Sequence, residues 1–179
     1  YLFFKNFLSD LGRTVTHAGD TNFHSSLLFN MALIFSGTTY LLFYSFLKNI
    51  FPNQLFTKLG SLLGICGAIS FIGVAFTPAD LYLDAHIIAN EWIFRFFLAS
   101  TIIYSWLIYK NDLIDNKYLI GNLIFIISLF AYILILIYGP KPYEPGGLEF
   151  QAVTQKFIMF NFLFSIVVQT MAYDKIMNQ

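Results

Sequence analysis

Five apolar runs, each long enough or nearly so to cross a bilayer, constrain this chain more than any other feature. They fall near residues 26–48, 57–76, 87–109, 118–138 and 157–173, the last being the shortest. About 20 residues of α-helix cross the hydrocarbon of a membrane. Backbone immersed there must hydrogen-bond internally, which a helix does. The composition agrees. The chain is 58% hydrophobic and 20% aromatic, and only 11% of its residues are charged, where a soluble domain carries about a quarter. The expected fold class is all-α: a polytopic transmembrane helix bundle, one integral membrane domain over residues 1–179. The opening YLFFKNFL reads as the tail of an apolar helix or as an interfacial helix, so a sixth, N-terminal span ahead of Tyr1 is expected.

Several function classes drop out early. Net charge is zero and no basic stripe exists, so nothing argues for nucleic acid. The single Cys66, inside a span, excludes an intrachain disulfide framework and a CxxC metal site. No span carries a buried lysine for a Schiff base and no mid-span histidine for a haem, and there is no nucleotide-binding loop.

Parity sorts the joins. Residues 1–25, 77–86 and 139–156 share one side of the membrane, face A; the 49–56 and 110–117 loops and the C-terminus share the other, face B. Face B holds Lys48, Lys58, Lys110, Lys117 and Lys175 against Asp112, Asp115 and Asp174. Face A holds four cations, Lys5, Arg13, Lys141 and Lys156, against seven acids. Cytoplasmic loops carry the excess of Lys and Arg, so the C-terminus is expected in the cytoplasm and face A outside. Face A also holds all three histidines, most of the acids and the loop GPKPYEPGG. Polar chemistry is therefore expected there.

Two stretches concentrate it. The first is SDLGRTVTHAGDTNFHSS, Ser9–Ser26, in which Gly12 permits a left-handed turn and Ser25 or Ser26 caps a helix starting at Leu27. Arg13 has the planar fork that clamps phosphate oxygens, and Asp10 lies beside it. The second is TPADLYLDAHIIANEWIFRFF. Thr77 fits an N-cap, Pro78 the first helical position and Asp80 the third residue of a capping box. At 100° per residue, Asp80, Asp84, Glu91 and Arg95 share one stripe; His86 and Asn90 share another. Glu91 and Arg95 are four apart with the acid first, the favourable order for a helical ion pair. That pair is either structural or the lining of a ligand pocket that includes Asp10, Arg13 and Asn90. His17, His24 and His86 are the candidate catalytic or zinc-ligating histidines, with Asp80 and Asp84 as candidate acids. No HxxxH or HExxH spacing exists, and no cofactor is expected beyond that zinc. Elsewhere, Gly60, Gly64 and Ala68 form a small-residue ridge. It serves close packing inside the chain, or a homo-oligomer or partner membrane protein.

NFLSDLGR, followed by NFHSSLLFNMALIFSG, resembles the DRAM/Frag-like membrane proteins, and more closely an uncharacterised prokaryotic six-helix family akin to them. Phe76–Asp80 with His86 resembles the proline-containing loop before their fourth span. The resemblance implies six spans and no assigned activity. The threonine–proline–glutamate run of the DRAM branch is absent. Alkaline ceramidase-type hydrolases also combine Ser, Asp and three His around zinc. They take two histidines from a late span, however, and here none follows His86.

The expected function is non-catalytic binding of a membrane lipid or partner protein in a polar pocket on face A. The alternatives are a metal-dependent hydrolase or transferase acting on lipid head groups, an accessory subunit of a larger membrane complex, and a small transporter.

Overall fold

The computed structural model describes residues 1–48, 51, 53–111 and 117–177, the side chains of 172, 173 and 175–177 excepted. Asp112 and Asp115, and the side chain of Lys175, which entered the charge balance, lie outside the described residues. A short 3-10 helix, Leu8–Gly12, precedes five α-helices: α1 (Phe23–Leu47), α2 (Gln54–Phe76), α3 (Leu83–Tyr109), α4 (Lys117–Tyr138) and α5 (Gly147–Met177). All five are long and apolar enough to cross a membrane. The all-α, five-span expectation therefore holds, with one large change of boundary. α5 begins ten residues before the expected 157, after a turn in which Gly146 takes a positive φ of 74°. Its first turns, GLEFQAVTQK, are too polar to read as a span, yet Gln151, Thr154, Gln155 and Lys156 find partners. Gln151 donates to the Ile135 and Pro140 carbonyls, at 3.4 and 3.0 Å.

Neighbours in sequence are neighbours in space, running α1–α2–α3–α4–α5. Lipid tails are as apolar as leucine, so helices in a bilayer associate through close packing and hydrogen bonds rather than hydrophobic burial. α2 supplies both. A side chain at Gly60 would press on Tyr104 and Ile103 of α3, one at Gly64 would overlap the Tyr44 ring of α1, and one at Gly67 would press on Phe97. The Gly60–Gly64–Ala68 ridge is thus covered by α1 and α3, with Ala68 fully buried. Beside it, the Ser61 and Tyr104 hydroxyls lie 2.6 Å apart, Tyr104 donates to the Thr57 carbonyl, and Ser100 donates to the Gly60 carbonyl at 2.8 Å. Other span hydroxyls bond back to the carbonyl four residues earlier, as Thr38, Ser45, Ser70 and Ser128 do.

The centre of the bundle is aromatic. Phe162 of α5 is 2% exposed. It meets Phe97 at 5.0 Å, Phe125 at 4.8 Å and Tyr40 at 6.1 Å, each close to edge-on, the arrangement aromatic quadrupoles prefer. Phe162→Ala would remove the ring that joins α1, α3 and α4 to α5. A loss of about 3 kcal/mol is expected, measurable as a lowered midpoint of unfolding in detergent.

The segment between α2 and α3 departs from the expected capping box. Thr77 ends α2, its hydroxyl donating to the Gly73 carbonyl at 2.9 Å. Pro78 accepts from the amides of Leu81 and Tyr82, closing a separate turn, and α3 starts only at Leu83. Asp80 is not part of α3, because its carboxylate is taken by another part of the chain.

Candidate functional site

Residues 1–22 are irregular backbone around one short 3-10 helix at the end of the bundle, and each buried peptide group there needs a partner. The side chains supply them. Asn22 donates to the Leu11 and Arg13 carbonyls at 3.2 and 2.9 Å. Ser25 donates to Leu11 and Ser26 to Gly12, both at 3.0 Å, and Asn30 adds a 3.3 Å bond to Gly12. On the donor side, the Phe7 amide bonds to Asp10 at 2.8 Å and the Leu8 amide to Gln155 of α5 at 2.7 Å. Lys156 reaches the Asn6 carbonyl at 2.6 Å, with its ammonium over the Phe3 and Tyr1 rings.

Asp80 makes the third attachment. Its carboxylate accepts from the Thr14 amide at 3.0 Å, the Thr14 hydroxyl at 2.6 Å and the Val15 amide at 3.0 Å. Beyond this point the chain makes a small hairpin, with a bridge between Val15 and Thr21 and a turn through Gly19 at φ 94°. The opening segment is therefore fastened to α1, to α5 and to the α2–α3 turn at once.

Two local expectations are corrected by this arrangement. Ser25 and Ser26 do not cap a helix starting at Leu27. α1 starts at Phe23, and both hydroxyls serve the carbonyls of the preceding segment. Gly12 is not left-handed, since the only positive-φ residues described are Gly19 and Gly146. Gly12 is needed for close approach, because a Cβ there would overlap Asn30 and Phe29.

The site residues read from sequence divide into separate places. Asp10 gathers His17, whose Nε2 lies 3.2 Å from its carboxylate, and Arg13 at 4.0 Å. Arg13 also donates from Nε to the Val15 carbonyl. His24 is exposed on the first turn of α1, edge-on to Phe23. His86 is buried, its Nδ1 2.7 Å from the Thr77 carbonyl. A carbonyl only accepts, so Nδ1 carries the hydrogen. Among the described residues, no three of His, Cys, Asp and Glu gather as a metal-ligand set. Asp84 is exposed in the first turn of α3, where a carboxylate suits the positive end of the helix dipole. Glu91 and Arg95 form their ion pair at 2.7 Å, with each side chain 35% exposed. Arg95 lies over the Trp92 ring, and Asn90 is half-buried nearby on the same helix.

A gap of about 10 Å³, room for a single water molecule, lies elsewhere, in the apolar part of the bundle. It runs between α1 and α5, with Tyr40, Phe43 and Tyr44 on one wall, Phe162, Ser165, Ile166 and Gln169 on the other, and Phe97 and Phe125 at its back. None of Asp10, Arg13, Asn90, Glu91 or Arg95 lines it. Gln155, with polar chemistry suited to bonding another element, does so at Leu8. Sequence reading missed Thr14, Asn22 and Lys156 as fasteners, the available signal being polar residues beside apolar runs.

Comparison of the chain with protein-family models, with curated proteins and with solved structures returns no match. Fold and composition define it as a multi-pass integral membrane protein.

Burial alone would raise the pKa of Asp80, but the Thr14 hydroxyl and the Thr14 and Val15 amides outweigh it and hold the carboxyl below its ordinary range. The stabilisation is complete at pH values above the unfolded carboxylate pKa and is lost as pH falls through the depressed folded value. Asp80→Asn is expected to lower stability at neutral pH by about 1 kcal/mol, near the lower end for bonds to a charged group because water screens the site. Hydrogen exchange at the Thr14 and Val15 amides should rise in the variant at neutral pH, and in the parent only in acid.

Proposed function

We propose that this protein binds a membrane lipid without catalysis. An acyl chain lies along the seam between α1 and α5, and the head group sits at face A. The observation that carries this reading is the mostly apolar seam itself, where Tyr40, Phe43 and Tyr44 of α1 face Phe162 and Ile166 of α5. Lys156 stands six residues before Phe162 and thirteen before Gln169 on α5, about 9 and 20 Å of helix rise away, so a lipid with its head group beside Lys156 brings only the end of its acyl chain to these residues. An ammonium has three donors, and two of those of Lys156 go to carbonyls of Asn6 and Ala152. An anionic head group suits the third. The opening segment then acts as a fixed rim, which agrees with its three attachments. The three histidines sit in three different environments, which favours binding over hydrolysis. We place the C-terminus in the cytoplasm and face A outside, from the lysine balance.

The test is lipid content by native mass spectrometry after mild detergent extraction. About one retained phospholipid per chain is expected. Ile166→Trp, which narrows the crevice, should lower retention several-fold, while replacing His17, His24 and His86 together by alanine should leave it unchanged. Retention unaffected by Ile166→Trp would sink the reading. Near one zinc per chain by elemental analysis, lost in the triple histidine variant, would favour the hydrolase instead.

A further inference from the structure

The outer face of α3 points to a second copy of this chain: we infer that two copies pair along α3, with the Glu91–Arg95 pair of each completing that of the other. α3 packs against α2 and α4 with its inner face. Outward it presents Trp92, Arg95, Ala99, Ile102, Trp106 and Tyr109, all exposed or half-exposed. Their spacing alternates three and four residues, the period at which left-handed helix pairs mesh. Ala99, at the middle, lets a second backbone come close.

The charges say what covers this stripe. Arg95 lies twelve residues into α3, about 18 Å of rise from its start, which is hydrocarbon depth. The Glu91–Arg95 pair faces out of the bundle with each side chain 35% exposed. Ionisable groups inside a membrane are costly and almost always face protein or a polar cavity, and lipid tails offer these two nothing. A two-fold axis along the membrane normal sets the two α3 helices side by side and brings the Arg95 of each near the Glu91 of the other. Four charges of alternating sign then neutralise one another. A C2 interface uses the same patch on both partners, and an acid–base pair on one stripe is complementary to itself. A different partner would need a matching pair at the same depth, whereas a second copy carries it already. The small-residue ridge of α2 does not compete, being covered by α1 and α3. The crevice between α1 and α5 takes from α3 only the buried Phe97, on the face turned away from this stripe, so the inference stands independently of lipid binding.

Disulfide trapping in native membranes tests it. In a Cys66→Ala background, Ala99→Cys and Ile102→Cys should give dimers on mild oxidation, and Leu98→Cys and Ile103→Cys several-fold less. No dimer, equal yield at all four positions, or an adduct of mass other than two chains would overturn the inference. The charge arm uses Ile102→Cys as reporter. Glu91→Lys and Arg95→Glu should each lose dimer several-fold alone and recover it when the two variants are co-expressed. Undiminished homodimer in either variant, or no heterodimer from the pair, would overturn the charge pairing.

Discussion

Hydrocarbon offers a polypeptide no hydrogen bonds, and the structure is organised around that deficit. Over five long segments the helix answers it internally. Between and before them it must be answered by side chains, and the opening segment shows how. Its carbonyls at Leu11, Gly12 and Arg13 are met by Asn22, Ser25, Ser26 and Asn30, and its amides at Phe7, Leu8, Thr14 and Val15 by Asp10, Gln155 and Asp80. A dense polar stretch beside a membrane span therefore has a structural use before any chemical one. Here it forms a rim tied to three parts of the bundle.

Within the spans the same deficit leaves packing as the adhesive. Glycines on α2 admit the rings of Tyr44, Phe97 and Tyr104, and Phe162 closes the centre. The pattern is not perfectly satisfied. Thr101 and Asn122 are buried with side-chain atoms that find no partner among the described residues. Glu91 and Arg95 satisfy each other but remain turned outward. Polar groups here thus include fasteners of irregular backbone, back-bonded hydroxyls within helices, hydroxyls bonded between helices and an outward ion pair.

Much of this was legible in the residues. The five spans, their parity, and the Glu91–Arg95 pair follow from run length and from spacing on a helix. The local capping assignments did not survive, for one common reason. Thr77, Asp80, Ser25 and Ser26 each have the chemistry of a helix cap, and short-range rules assign each to the nearest helix start. In the structure Asp80 binds Thr14 and Val15 across 66 and 65 residues, and Ser25 and Ser26 turn back to Leu11 and Gly12. A carboxylate or hydroxyl looks the same in sequence whether its donor is three residues away or sixty.

By itself, then, the sequence determined the class of protein, because hydrophobic run length against bilayer thickness is a one-dimensional match. Only the tertiary structure decided what the polar groups do. Whether three histidines meet, whether α1 and α5 leave a crevice, and whether an ion pair faces in or out depend on how helices rotate and close against one another. Those rotations are set by glycine and aromatic contacts between segments far apart in the chain.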